Sequence, residues 1–259
     1  QPIHPAGLER LRAAGVTPRL ASAHDMATVA REIRGAVAVI TRNAGLDAAA
    51  MDAAPALRVI ANHGVGTNRI DLARAAELGI PTVFTPTANA RSVAEHAIAL
   101  TLALARKVIP ADAAVRGCDW SLRYEARMVE LYGKTIGLVG FGTIGRMTGA
   151  IARAGFGMRL LVFSPGTEDA ALDAAGAERA PTLEALLAAA DVISLHRPLR
   201  PDTRHMIDAA ALACMKPTAF LVNTARGELV DTAALADALA AGRIAGAAQD
   251  VFKVEPAPA

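Results

Sequence analysis

Three short stretches carry residue types suited to chemistry rather than to packing alone. Gly140-Phe141-Gly142-Thr143-Ile144-Gly145 has the spacing G-x-G-x-x-G and lies between an apolar run, Thr135 to Val139, and a helical pattern from about Thr143 to Ala154. Such a turn suits a diphosphate. Gly140 allows the tight bend, Gly142 has no side chain to hold a pyrophosphate off the backbone, and Gly145 lets helix and strand pack closely. The helix start adds unpaired N–H groups and a partial positive charge. Asn223-Thr224-Ala225-Arg226-Gly227 sets a guanidinium just past another apolar run. Its fixed fork of donors suits a carboxylate or the oxygen of a 2-oxo acid, and a structural salt bridge is the competing use. Asp250-Val251-Phe252-Lys253-Val254-Glu255 then puts two carboxylates beyond the last strand. Glu255 is suited to orienting and charging a histidine that acts as general acid or base.

A glycine triplet by itself is weak, because an Ala- and Gly-rich chain also makes ligand-free strand–helix turns. The context supplies the specificity: a strand precedes the turn, a helix follows it, and Met158 to Phe163 reads as the next strand. Beyond Phe163, a unit that binds NAD normally has an acidic residue for the ribose hydroxyls. Here Ser164 holds that position, and Pro165, Gly166 and Thr167 follow with no adjacent arginine. The choice between NAD and NADP is therefore open, and Arg197, after a later strand, is expected to approach the adenosine side. Among six histidines, His63 and His196 follow strands, but neither is assigned as the catalyst.

The elements that must position these residues read as alternating strands and helices. In the first part, helices are expected near 7–15, 26–33, 46–53 and 70–78, with strands at Ala36 to Thr41, Leu57 to Asn62, Pro81 to Phe84 and a short one at Arg19 to Ala21. A further strand is expected to precede Gln1. A long helix from about Arg91 to Val108, capped by Asn89 or Ser92, is apolar nearly all round and reads as an interdomain helix. Residues 110–134 read as an irregular arm that packs on a partner subunit. From Thr135, strands near 135–139, 158–163, 191–195, 219–223 and 244–249 alternate with helices, with Thr182 and Asp231 as N-caps and Gly242 closing the last helix. This predicts an α/β fold with a doubly wound parallel sheet, whose ligands bind beyond the carboxyl ends of the strands.

Composition narrows the function class. The 259 residues suit one large domain or two of ordinary size, and 53% are hydrophobic but only 3% aromatic. With 27 basic and 25 acidic residues, no basic block points to nucleic acid. No apolar run reaches the ~18 residues of a membrane span, and residues 1–20 lack the apolar core of a signal peptide. Cys118 and Cys214 are far apart and in no metal-ligand spacing, so no metal site and a reducing, cytoplasmic compartment are expected.

Taken together, the chain resembles the D-isomer-specific 2-hydroxyacid dehydrogenases along nearly its whole length. The likeness rests on His63-Gly64-Val65-Gly66 with Ile70-Asp71, Ser92-Val93-Ala94-Glu95-His96 and the glycine turn. It continues in Asp191 to Leu199 with Pro201 and Thr203, Met215-Lys216-Pro217, Asn223 to Gly227, Leu229-Val230-Asp231 and Asp250 to Pro256. The resemblance implies a Rossmann cofactor domain, residues 89–259, and a flavodoxin-like α/β substrate domain, residues 1–88, whose C-terminal return segment is absent. It implies that the Val65 and Gly66 N–H groups hold the substrate carboxylate. Arg226 would bind and polarise the 2-oxo group, and Glu255 would pair with a catalytic histidine. Gly140, Gly142, Thr143, Ile144, Gly145, Ser164, Arg197, Thr224 and Asp250 would contact NAD or NADP.

By the same resemblance the histidine lies in a Pro-His segment beyond Glu255-Pro256. The sequence stops at Ala259 before it, so both ends of the natural chain are expected to extend further. The expected activity is hydride transfer between NAD(P) and a small D-2-hydroxy or 2-oxo acid, with phosphoglycerate and hydroxypyruvate–glycerate as the first pairs to try, in a homodimer. An NAD-sensing, co-repressor-like binding protein is the alternative, and a degenerate structural paralogue a third reading. The presence of both Arg226 and Glu255 favours the enzyme.

Overall fold

Apolar runs of three to five residues, each closed by a glycine or polar turn, form the strands of two parallel sheets. The computed structural model describes residues 2–125 and 127–254, and the chain divides between Ala88 and Asn89 into two compact units.

In the first unit the order is α1 (Pro5–Ala13), α2 (Met26–Glu32), β1 (Ala38–Thr41), α3 (Ala48–Asp52), β2 (Val59–Asn62), α4 (Leu72–Glu77) and β3 (Thr82–Phe84). The strands pair in parallel in the order β1-β2-β3, with Val39 opposite Ile60 and Ile60 opposite Thr82. Asp25, Asp47 and Asp71 cap α2, α3 and α4 by accepting the N–H three residues on. Leu46, Ala50, Met51 and Ile60 fill the core, each larger side chain contributing about 1.5–3 kcal/mol. The strand expected at Arg19 to Ala21 does not form. Among the described residues no strand lies beside it to take its backbone hydrogen bonds, Leu20 is exposed, and Ser22 binds Glu32 through its N–H and hydroxyl.

The second unit begins with α5 (Ala90–Ala105), α6 (Val108–Arg116) and α7 (Leu122–Glu125). The single long helix expected here ends early for a steric reason. Continued through, the Pro110 ring would meet the carbonyl of Arg106 four residues back. The chain instead turns at Lys107, with φ 51°, and restarts. The arm expected to be irregular thus carries two short helices. Asn89 occupies the cap position of α5 without a side-chain cap bond. The helix packs on α8, β8 and β9, defined next, through Ala90, Ala94, Ala97, Ile98, Thr101 and Ala105.

There follow β4 (Thr135–Val139), α8 (Thr143–Phe156), β5 (Arg159–Phe163), α9 (Asp169–Ala175), β6 (Ala177–Arg179), α10 (Leu183–Ala189), β7 (Val192–Leu195), α11 (Ala209–Cys214), β8 (Phe220–Asn223), α12 (Thr232–Ala240) and β9 (Gly246–Gln249). All are parallel in the order β6-β5-β4-β7-β8-β9. β6 was not foreseen: three residues after Gly176 are too few to show a period. Thr182 and Asp231 do cap α10 and α12.

Successive residues face opposite cores. Ile136 and Leu138 join Ile98, Leu160 and Phe220 in one, while Val139 joins Leu186, Ile193, Leu195 and Leu212 in the other. This is a doubly wound sheet whose order reverses beside β4, and in sheets of this kind ligands bind in the crevice beyond the carboxyl ends at the reversal. At the opposite edge, burial works against the Asp191 charge. Lys216 Nζ and the Thr135 N–H, each at 2.8 Å, with the charges of Lys216 and Lys134, outweigh it and hold the carboxyl below its usual range. The bonds tie the start of β7 to β4. No helix among the described residues is long and apolar enough to cross a membrane.

Candidate cofactor and active site

The turn after β4 gives its three glycines different tasks. Gly140 has φ +101°, and a Cβ there would lie 2.6 Å from the His196 carbonyl oxygen. A Cβ on Gly145 would lie 2.4 Å from the Gly140 carbonyl oxygen, so α8 sits directly against the turn. A Cβ on Gly142 would meet nothing within 4 Å. The first two are demanded by the fold. The third leaves space that the fold does not use. Gly142 also starts α8 without a side-chain cap, unlike the starts of α2, α3, α4, α10, α11 and α12. The α8 start, with Thr143 and Ile144 in its first turn, is thus suited to an anion.

The neighbouring strand ends supply polar groups. After β7, His196 continues the ladder by donating its N–H to the Val139 carbonyl, and its Nε2 lies 3.0 Å from the hydroxyl of fully buried Ser194. Burial lowers the imidazole pKa to about 4, so it is neutral at pH 7. Arg197 crosses the turn, with its Cδ 3.3 Å from the position of a Gly140 Cβ, and its Nε is buried without a hydrogen-bond partner. After β8, the Thr224 hydroxyl is likewise buried and unpartnered. Orphaned buried polar atoms are rare in native structures. Two of them on this edge, with the space at Gly142, fit a bound dinucleotide.

Arg226 is half-buried. Its Nη1 donates to the Ala225 carbonyl at 2.6 Å, and Asn223 fixes the loop by donating to the Arg226 carbonyl at 2.9 Å. Gly227 is closed over by the chain after β9: a Cβ there would lie 2.2 Å from the Phe252 carbonyl carbon. That contact, and the Asp250 N–H donating to the Asn223 carbonyl at 3.0 Å, bring Thr224, Arg226 and Asp250 to one corner. His96, from α5, places Nε2 3.3 Å from Asp250 Oδ1. The two partners are over 150 residues apart in sequence, so no local spacing reveals the pair. Glu255 lies outside the described residues.

After β5, Ser164 is buried and accepts a hydrogen bond from the Thr167 hydroxyl at 2.9 Å. No arginine adjoins Ser164 in the sequence, but one does in space. Arg179, fifteen residues on in the unforeseen β6, pairs beside β5 with Val162 and reaches the Ser164 carbonyl at 3.4 Å and the Thr167 carbonyl at 2.5 Å. Sequence proximity missed it because the neighbour comes from strand pairing. In the first unit, the Asn62 amide donates to the Gly64 and Gly66 carbonyls at 3.1 and 3.0 Å, fixing the loop after β2. The Val65 and Gly66 N–H groups of that loop meet no acceptor among the described residues.

Comparison with known proteins bears on this geometry. The family model described as "D-isomer specific 2-hydroxyacid dehydrogenase, NAD binding domain" matches residues 98–259. D-3-phosphoglycerate dehydrogenase of Mycobacterium tuberculosis is 43% identical over 220 residues, covering 85% of this chain and 41% of that protein. Glyoxylate reductase of Pyrococcus furiosus is 45% identical over 219 residues, covering 82% of this chain and 64% of its own length. The chain therefore spans less than two thirds of either relative. The crystal structure of TT0316 protein from Thermus thermophilus superposes with a TM-score of 0.82 at 36% identity, covering 98% of this chain and 80% of that one.

Proposed function

Because the chain belongs to the D-isomer-specific 2-hydroxyacid dehydrogenase family, with its NAD-binding domain in residues 98–259, we propose that it is part of an NAD(P)-dependent oxidoreductase acting on a small D-2-hydroxy or 2-oxo acid. One observation carries the reading. A positioned guanidinium, Arg226, shares the carboxyl edge of one sheet with an uncapped helix start, open space at Gly142 and two orphaned polar atoms. The chemistry supplied by a bound nicotinamide is hydride transfer.

This chain's residues would do the rest. Gly140, Gly142, Thr143, Ile144 and Gly145 would receive the diphosphate, while Ser164, Arg197, Thr224 and Asp250 contact the remainder of the cofactor. Arg226 would hold the 2-oxo group and draw electron density from its carbonyl carbon. The Val65 and Gly66 N–H groups would take the carboxylate. Glu255 would hold a protonated histidine that donates to the new hydroxyl. Phosphoglycerate, hydroxypyruvate–glycerate and glyoxylate are the substrates to try, the last on the strength of the glyoxylate reductase relatives.

The test follows absorbance of the reduced nicotinamide with this panel and both cofactors. In a responsive pair, Arg226→Ala is expected to lower kcat/KM by roughly a thousandfold while nucleotide Kd stays within about twofold. Equal loss of both would make Arg226 structural. Nucleotide binding with silence across the panel would favour a sensing protein.

We further propose a homodimer formed through the segment from α6 onward. Ile109, Val115, Trp120, Tyr124, Met128 and Tyr132 are all exposed there. So many large apolar groups in one arm mark an interaction surface. Ile109→Asp with Trp120→Ser should give a monomer in analytical ultracentrifugation.

A further inference from the structure

The adenosine end of the crevice carries a charge pattern that the cofactor reading leaves unused. At the β5 end, where a carboxylate would receive a ribose 2′-hydroxyl, stands the neutral Ser164, only 9% exposed. One guanidinium is bound to its turn, and a second arginine side chain lies over the neighbouring glycine. Arg179 comes from β6 and holds the 164–167 turn by its carbonyls. Arg197 comes from β7 and lies over Gly140, whose N–H donates to the Phe163 carbonyl at 2.9 Å, the residue just before Ser164. Arg197 Nε is buried and without a partner. The sole carboxylate bound to either guanidinium among the described residues is Asp169, 2.6 Å from Arg179 Nε and 81% exposed at the start of α9. Exposed pairs of this kind are weak and open to competition. No carboxylate stands at position 164 itself, so the floor of the corner carries no negative charge.

Resting on the cofactor reading above, we propose that this corner selects the 2′-phosphorylated dinucleotide, with Arg179 and Arg197 as its cationic walls and Ser164 as a neutral floor. A phosphate carrying close to two negative charges gains charge-assisted bonds from both arginines. A free 2′-hydroxyl meets a neutral hydroxyl at position 164 in place of a carboxylate acceptor. Asp169 acts as a competing anion that holds Arg179 and tempers the preference.

The test titrates the purified protein with NADPH, NADH and 2′,5′-ADP, by nicotinamide fluorescence and calorimetry, so no turnover is needed. NADPH is expected to bind at least about tenfold more tightly than NADH, and 2′,5′-ADP to compete with it. Ser164→Asp should invert the ratio. Arg179→Ala should bring it towards one. Because that change also loosens the turn, Asp169→Asn supplies a gain that a purely structural Arg179 would not: NADPH should tighten by about twofold to threefold with NADH unchanged. NADH binding as tightly as NADPH in the unaltered protein, or a ratio unmoved by Ser164→Asp, overturns the proposal while leaving the cofactor site intact. Binding of neither dinucleotide overturns this proposal and the cofactor reading together.

Discussion

At the end of β4 the site is made of backbone; one strand over, at the end of β5, it is made of side chains. Gly140 and Gly145 are held by contacts with the His196 and Gly140 carbonyls that leave no room for a Cβ. Around Ser164 the geometry comes from side-chain bonds made by Arg179 and Thr167 instead of from backbone set against backbone. The first corner suits a diphosphate common to both dinucleotides. The second suits the one group by which they differ.

This contrast can be broken most severely at Gly140. Gly140→Ala forces a side chain into positive φ and onto the His196 carbonyl, so about 3 kcal/mol of stability should go. NADPH and NADH affinity should vanish together, as read by denaturant melts and calorimetry. Ser164→Asp should instead leave the protein able to bind a dinucleotide and move chiefly the ratio of affinities.

A pH-dependent effect comes from His196, behind the same turn. Unfolded, its imidazole takes up a proton near pH 6.5; folded, only near 4. Over that window the unfolded chain binds more protons, so stability falls as the pH falls, by at most about 1.4 kcal/mol per pH unit. It is fully retained above pH 6.5. His196→Gln should flatten this slope in urea melts taken across the window, while the acid loss from Asp191, whose folded pKa is depressed, persists below about 3.8. An unchanged slope would mean that the imidazole is solvated.

The difference between the corners also explains what the sequence discloses. The glycine turn, Arg226 and the strand-end positions of Thr224 and Asp250 are local in sequence, so spacing and apolar runs reveal them. Arg179 beside Ser164 and His96 beside Asp250 depend on β6 pairing with β5 and on α5 packing against the last strands. No local pattern encodes either. The break at Lys107 was legible in principle, since Pro110 cannot follow an intact turn, but the apolar pattern running through it suggested one helix.

The most direct measurement concerns Gly142. Its backbone, at φ −76°, accepts alanine, and a Cβ there would touch no protein atom. If the space holds a diphosphate, Gly142→Ala should leave stability within about 1 kcal/mol of the unaltered protein, while dinucleotide affinity falls at least about tenfold. Equal affinity in Gly142→Ala and the unaltered protein would contradict the account, because the turn would then serve only the fold.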